Sequence, residues 1–175
     1  NLNRWYRKRL LQIAKQVDLI AREFEEETDL FVAVSQIQRR LFSYEDSLNA
    51  YALDIASVML KRADQADYDT WLRVGEGITR ATRKRLRSPA IANEYQRMQA
   101  EQVDLIKTIP HEAAMKVHEW VRSGLANGQR FPEIAARIKN ELGASTEARA
   151  ICIARTETAR ARSNFKQARA KAVGS

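Results

Sequence analysis

The apolar residues of this chain recur three and four apart rather than alternately, and little interrupts that spacing: of 175 residues only 6 are Gly and 3 are Pro. At 3.6 residues per turn such residues fall on one side of an α-helix, whereas a half-buried strand needs a period of two. The spacing predicts an all-α chain, an elongated multi-helix array ending in a long amphipathic helix. Apolar residues make up 45% of the sequence, enough for a core, which argues against general disorder.

A first helix is expected from Arg4 to Glu26, with Leu10, Ile13, Val17, Ile20 and Phe24 on one stripe. Its end in Glu23, Glu25, Glu26 and Glu27 opposes the helix dipole and invites fraying. Asp29 can cap a second helix carrying Phe31, Val34, Ile37 and Leu41. Ser43 can cap a third, with Leu48, Tyr51, Ile55, Val58 and Met59 inside. Asp67 or Asp69 would open a fourth through Trp71 to Leu86, weakened or hinged at Gly75 and Gly77. Ser88 and Pro89 break the pattern, giving an N-terminal helical region over 1–88 and a second helical region over 89–175. In the second region one helix carries Tyr95, Met98, Val103 and Ile106. Another starts at Thr108 with Pro110 in its first turn and ends in the Gly124 to Gly128 stretch. A short one then runs from Phe131 to Leu142, closed by Gly143.

The last helix is expected from Ser145 to about Ala172. Its residues Ile151, Ala154, Thr158, Ala161, Phe165, Ala168 and Ala172 alternate three and four apart, a seam of mostly small side chains against which another helix can approach closely. Arg155, Arg162, Lys166 and Arg169 lie on one flank of it.

Residues for bond chemistry are sparse. His111 and His118 stand seven apart, about 10 Å of helix rise, too far to share one ion, and Met115 occupies the place where a zinc-protease helix needs its second His. Cys152, flanked by Ile151 and Ile153, reads as a packed thiol. As the chain's one cysteine it excludes an internal disulfide. Gly75 and Gly77 lack the remaining glycine and Lys of a phosphate loop, and the paired carboxylates of the Glu23 to Glu27 run read as a solvated face. No apolar run approaches the roughly 18 residues of a membrane span, and the opening residues, with Arg4, Arg7, Lys8 and Arg9, lack the apolar stretch of a signal peptide. The expectation is a non-enzyme with no metal, no cofactor, no small-molecule substrate and no membrane contact.

Charge is more informative. Net charge is +8, and two segments, Arg73 to Arg87 and Ser145 to Ser175, each carry a net +5. Such clusters release condensed counterions when they neutralise phosphates, a gain independent of base sequence. Arg80, Arg83, Lys84, Arg85 and Arg87 in the first segment, and Arg155, Arg162, Lys166 and Arg169 in the second, are the candidate contacts. Nonspecific nucleic-acid binding, docking of an acidic protein and a plainly solvated face all fit this pattern. Aromatic interleaving is missing, which argues against base stacking.

Three stretches from Leu105 onward carry a resemblance: Leu105-Ile106-Lys107-Thr108-Ile109-Pro110; Gly128 followed by Phe131-Pro132-Glu133-Ile134-Ala135; and Ala150 to Ala161, with Ala154-Arg155-Thr156-Glu157-Thr158 its most specific part. Over about 70 of the 175 residues the sequence resembles the phage head-morphogenesis family typified by the phage Mu minor head protein. Members usually continue into a β-containing segment that is absent here, so a fragment is expected. The resemblance implies a minor capsid protein of the virion, at the portal vertex or inner capsid face, passing through the host cytoplasm during assembly. Its implied partners are the portal protein, the major capsid protein and packaged double-stranded DNA. Its motif residues Arg155, Thr156, Glu157 and Thr158 are expected to shape helix packing, Glu157 meeting Arg160 three residues on rather than Arg155 two residues back. A stand-alone basic nucleic-acid-binding protein and the delivery domain of a phage-borne toxin are the alternatives.

Overall fold

The structure is a computed structural model that describes residues 1–75 and 77–174; Glu76, counted in the charge of the first basic segment, and Ser175 lie outside the described residues. The described residues form six helices and no strand: α1 (Leu2–Arg22), α2 (Leu30–Ser47), α3 (Asn49–Val74), α4 (Arg80–Arg85), α5 (Pro89–Ala126) and α6 (Phe131–Gly174). The all-α expectation holds. At 1.5 Å per residue, α6 with its 44 residues is about 66 Å long, and every other helix packs along it or along α5.

Pairwise contacts fix the directions. Glu101, Glu112 and Lys116 of α5 meet Arg160, Arg149 and Ser145 of α6 in falling order, so these two rods are antiparallel. Asp18 lies against Gly143, and Arg22 donates to the Lys139 carbonyl, which sets α1 antiparallel to α6 as well. Gln38 and Glu45 of α2 meet Ala114 and His111 of α5 in falling order, so α2 also opposes α5, and Gln99 donates to Ser57 Oγ, joining α3 to the same helix.

Several helices are longer than the turn signals suggest. Ser43 lies inside α2, and α2 and α3 meet at Leu48, a residue in helical conformation that ends one and starts the other. The reason is burial: Leu41, Tyr44 and Leu48 keep the three-and-four spacing running past Ser43. Asp67 and Asp69 do not open a helix but sit in α3. The break comes at Gly75 and Gly77, the latter at φ +81°, a backbone conformation that side chains other than glycine's rarely adopt. Thr108 caps nothing. Its hydroxyl donates to the Leu105 carbonyl, and α5 continues through Pro110, which is buried. A proline inside a helix costs about 3 kcal/mol through its missing N–H and its ring clash. Ile106, Ile109, Ala113, Ala114 and Val117, buried on both sides of it, offset that loss. Gly143 likewise does not end a helix; α6 runs through it, and a Cβ there would lie 2.6 Å from Asp18 Oδ1. The glycine serves close approach of α1. Ser145 is no cap either, since its hydroxyl accepts from Lys116 Nζ. The first helix ends earlier than expected, at Arg22, and the glutamates beyond it turn back to pair across elements, Glu23 with Arg40 and Glu25 with Lys139.

Two apolar clusters fill the array. One joins α1, α3, α5 and α6 through Tyr6, Leu10, Met59, Met98, Ala154, Ala161 and Phe165; the other joins α1, α2, α5 and the start of α6 through Val17, Ile37, Val117 and Ile138. The boundary expected after residue 88 falls in the loop between α4 and α5, yet residues on both sides of it share the first cluster. The seam of α6 is rotated from the expected one. Ile151 is 37% exposed, Ile153 is buried in its place, and Phe31 of the expected α2 stripe faces outward at 54%. Ala154, Thr158, Ala161 and Phe165 keep their predicted places inside.

Ala161 is 1% exposed in the first cluster, so Ala161→Leu overpacks the α6 contact and should lower unfolding free energy by about 1–3 kcal/mol in urea titrations.

Candidate nucleic-acid interface

A buried polar chain crosses the middle of the array. Tyr6 Oη donates to Gln102 Oε1 at 2.8 Å, and Gln102 Nε2 donates to Glu157 Oε1 at 2.7 Å. Arg160 Nη1 reaches the same carboxylate at 3.0 Å, and Arg160 Nη2 reaches Glu101 Oε2 at 2.6 Å. The two buried links sit in apolar stripes: Gln102 lies four residues from Met98 and from Ile106, and Glu157 four from Ile153 and Ala161. The hydrogen bonds to Glu101 and Glu157 push the Arg160 pKa up and keep it charged. Burial, then the Glu157 charge, push the Tyr6 phenol far above its usual 10.0. Tyr44, half-buried beside Tyr51, is pushed up to about 12, mainly by burial.

One motif residue, Glu157, belongs to this network, and a second, Thr158, is buried next to it. Glu157 and Thr158 are buried, Thr158 donating to the Ala154 carbonyl at 2.7 Å, while Arg155 and Thr156 are exposed. Glu157 pairs with Arg160 as its three-residue spacing predicts. Arg162 and Lys166 are exposed on the outward side with Arg155. Cys152, expected to be packed, is exposed, 4.0 Å from Thr156 Oγ1. The helical register places it one position away from the buried Ile153.

Arg169 is not a surface contact. It is 2% exposed, with Nε donating to the Leu86 carbonyl at 3.0 Å, Nη1 to Asp67 Oδ2 at 2.9 Å and Nη2 paired with Asp64. Its position four residues after Phe165 continues the buried face of α6 rather than the basic flank. The sequence does carry a signal for this. Leu60, Ala63 and Asp67 follow the apolar three-and-four spacing of α3, and a carboxylate in such a stripe requires a cation from elsewhere.

Four of the remaining candidates converge. Arg80, Arg83, Lys84 and Arg87 line one open hollow of about 940 Å³ together with Ala81 and the ring of Tyr68. Arg87 covers that ring, its guanidinium carbon 4.1 Å from the centroid, and Arg169 approaches it at 5.6 Å. Thr79 caps α4 by accepting from the Thr82 amide at 3.2 Å. Arg85 is exposed outside the hollow. Among the described residues none of Arg80, Arg83, Lys84, Arg85, Arg155, Arg162 and Lys166 has a carboxylate partner.

Elsewhere the surface offers little chemistry. His111 is exposed and pairs with Glu45 at 2.8 Å, and His118 is exposed. Among the described residues no three His, Cys, Asp or Glu side chains gather as a metal site, and no helix is long and apolar enough to cross a membrane. An apolar groove of about 440 Å³ opens where the α1–α2 turn meets the start of α6, lined by Phe24, Val34, Ile37, Phe131 and Ile138, with Glu25 and Lys139 in its wall.

No family model matches the chain, and no solved structure matches it. An "Uncharacterized protein" of Haemophilus influenzae is 29% identical over 185 residues, an alignment covering 97% of this chain and 41% of that protein. The chain thus spans about two-fifths of the length of the curated relative it matches.

Two outcomes are expected. Arg169→Met leaves the largely buried Asp67 without its cation and should cost about 3 kcal/mol, read from urea unfolding. Because the folded-state phenol pKa values of Tyr6 and Tyr44 are raised, the stability they confer is complete below pH 10.0 and is lost as pH climbs through the raised values, from 10.0 to about 12 for Tyr44. Stability against urea should therefore decline above that lower limit, and less steeply in Tyr44→Phe.

Proposed function

We propose that this chain is a structural, non-enzymatic part of a phage head, a minor capsid protein held at the portal vertex or inner capsid face that acts in head assembly and in DNA packaging or delivery. The observation that carries the reading is how the Ala154-Arg155-Thr156-Glu157-Thr158 segment, the most specific part of the resemblance, divides between inside and outside. Glu157 ties α6 to Gln102 of α5 and Thr158 is buried with its hydroxyl on its own helix, while Arg155 and Thr156 face outward beside Arg162 and Lys166. A helix fixed by one half of a motif and displayed by the other half suits holding a neighbouring subunit rather than making or breaking bonds. The partners on this reading are the portal protein, the major capsid protein and packaged double-stranded DNA. The unpaired cations of α4 favour a second reading, a stand-alone basic nucleic-acid-binding protein.

Co-expression with the portal and major capsid proteins of the same genome tests the first reading. The chain should co-purify with one of them, and replacing Arg155, Arg162 and Lys166 together by Glu should weaken that capture about tenfold or more without moving the thermal melt, because all three are exposed and unpaired among the described residues. A chain that meets neither protein and is absent from assembled particles contradicts it.

A further inference from the structure

Four cations gather around Tyr68. Arg80, Arg83 and Lys84 stand at i, i+3 and i+4 on α4, and Arg87, in the turn just after that helix, lines the same hollow, so its charged lining is entirely positive among the described residues. Like charges three and four apart repel on a helix. Arg160 and Arg169, by contrast, are each relieved by two carboxylates. Asp64 and Asp67, which lie on α3 near Tyr68, are both engaged by Arg169, and no carboxylate lines the hollow among the described residues. Repulsion left in place around an open hollow is relieved by an anion from outside, and four cations in a row suit a polymer of phosphates better than a single ion.

We propose that this hollow seats the phosphate backbone of duplex DNA, with Arg80, Arg83, Lys84 and Arg87 as the contact residues. The inference deepens the proposed function and rests on it only for the source of the DNA. From Arg80 to Lys84 α4 rises about 6 Å, which spans about two phosphates of one strand at 3.4 Å each, and Arg87 in the turn beyond extends the row. Binding is indifferent to base sequence, because the aromatic ring in the hollow is buried and already covered by Arg87, leaving no free face for a base. Arg155, Arg162 and Lys166 of α6 do not line this hollow and are not part of this seat.

Fluorescence anisotropy of the full chain with two labelled duplexes of unrelated sequence, at several salt concentrations, tests the proposal. Equal affinities are expected, with a slope of log K against log salt near −3 to −4 and therefore about a hundredfold weakening between roughly 50 and 200 mM salt. The combined variant Arg80→Gln, Arg83→Gln, Lys84→Gln and Arg87→Gln should flatten the slope, whereas Arg155→Gln, Arg162→Gln and Lys166→Gln together should leave it unchanged. An unchanged slope in the first variant, or tight binding of poly-glutamate with none of duplex, overturns the seat and in the latter case points to an acidic protein instead. Failure here leaves capture by the portal or major capsid protein intact, while loss of that capture with duplex binding preserved sinks the head-protein reading and keeps the seat.

Discussion

Glu157 decides how α6 can sit. Apolar stripes of small residues tolerate sliding, because an alanine displaced by one turn still meets alanine or leucine. A buried carboxylate does not tolerate it, since leaving it without its donors costs the full desolvation of a charged group. Glu157 finds Gln102 and Arg160, Gln102 finds Tyr6, and Arg160 finds Glu101, so one polar chain ties α1, α5 and α6 at a common level. Arg169 does the same further along α6, tying it to α3 and to the carbonyl of Leu86 just after α4. The register of a rod about 66 Å long is thus pinned at two polar points, and the apolar contacts between them follow.

The consequence is a division of charge. Cations that face inward are neutralised in pairs and serve the frame, as Arg160 and Arg169 do. Arg80, Arg83 and Lys84 on α4, and Arg155, Arg162 and Lys166 on α6, face outward without carboxylate partners among the described residues and are free to meet a neighbour. The paired inner cations and the outward ones can therefore be changed separately.

Helical period was legible because it needs only apolar spacing, and Leu10, Ile13, Val17 and Ile20 obey it throughout α1. Helix ends were less legible because local signals compete with burial: Ser43, Thr108, Pro110 and Gly143 each read as punctuation, and each lies within a helix whose buried face continues past it. Gly77 and Gly128, both at positive φ, did mark true turns, since no packing gain substitutes for that backbone freedom. The basic cluster on α4 was visible as charge, and its convergence on Tyr68 was not, because Tyr68 comes from α3 across the turn at Gly75 and Gly77. Arg169 was misplaced because a seam drawn through Ala168 and Ala172 puts arginine on the flank, whereas the contact face of α6 passes through Phe165 and Arg169.

Native-state hydrogen exchange resolved by residue tests the central claim, that α6 is pinned at its two polar points and carries the rest. Amides of α6 from Ala150 to Phe165, and those of α5 facing them around Gln102 and Ile106, should exchange slowest in the molecule, at the rate of global unfolding, while α4 exchanges far sooner. Exchange of α6 as fast as that of α4 would contradict the account.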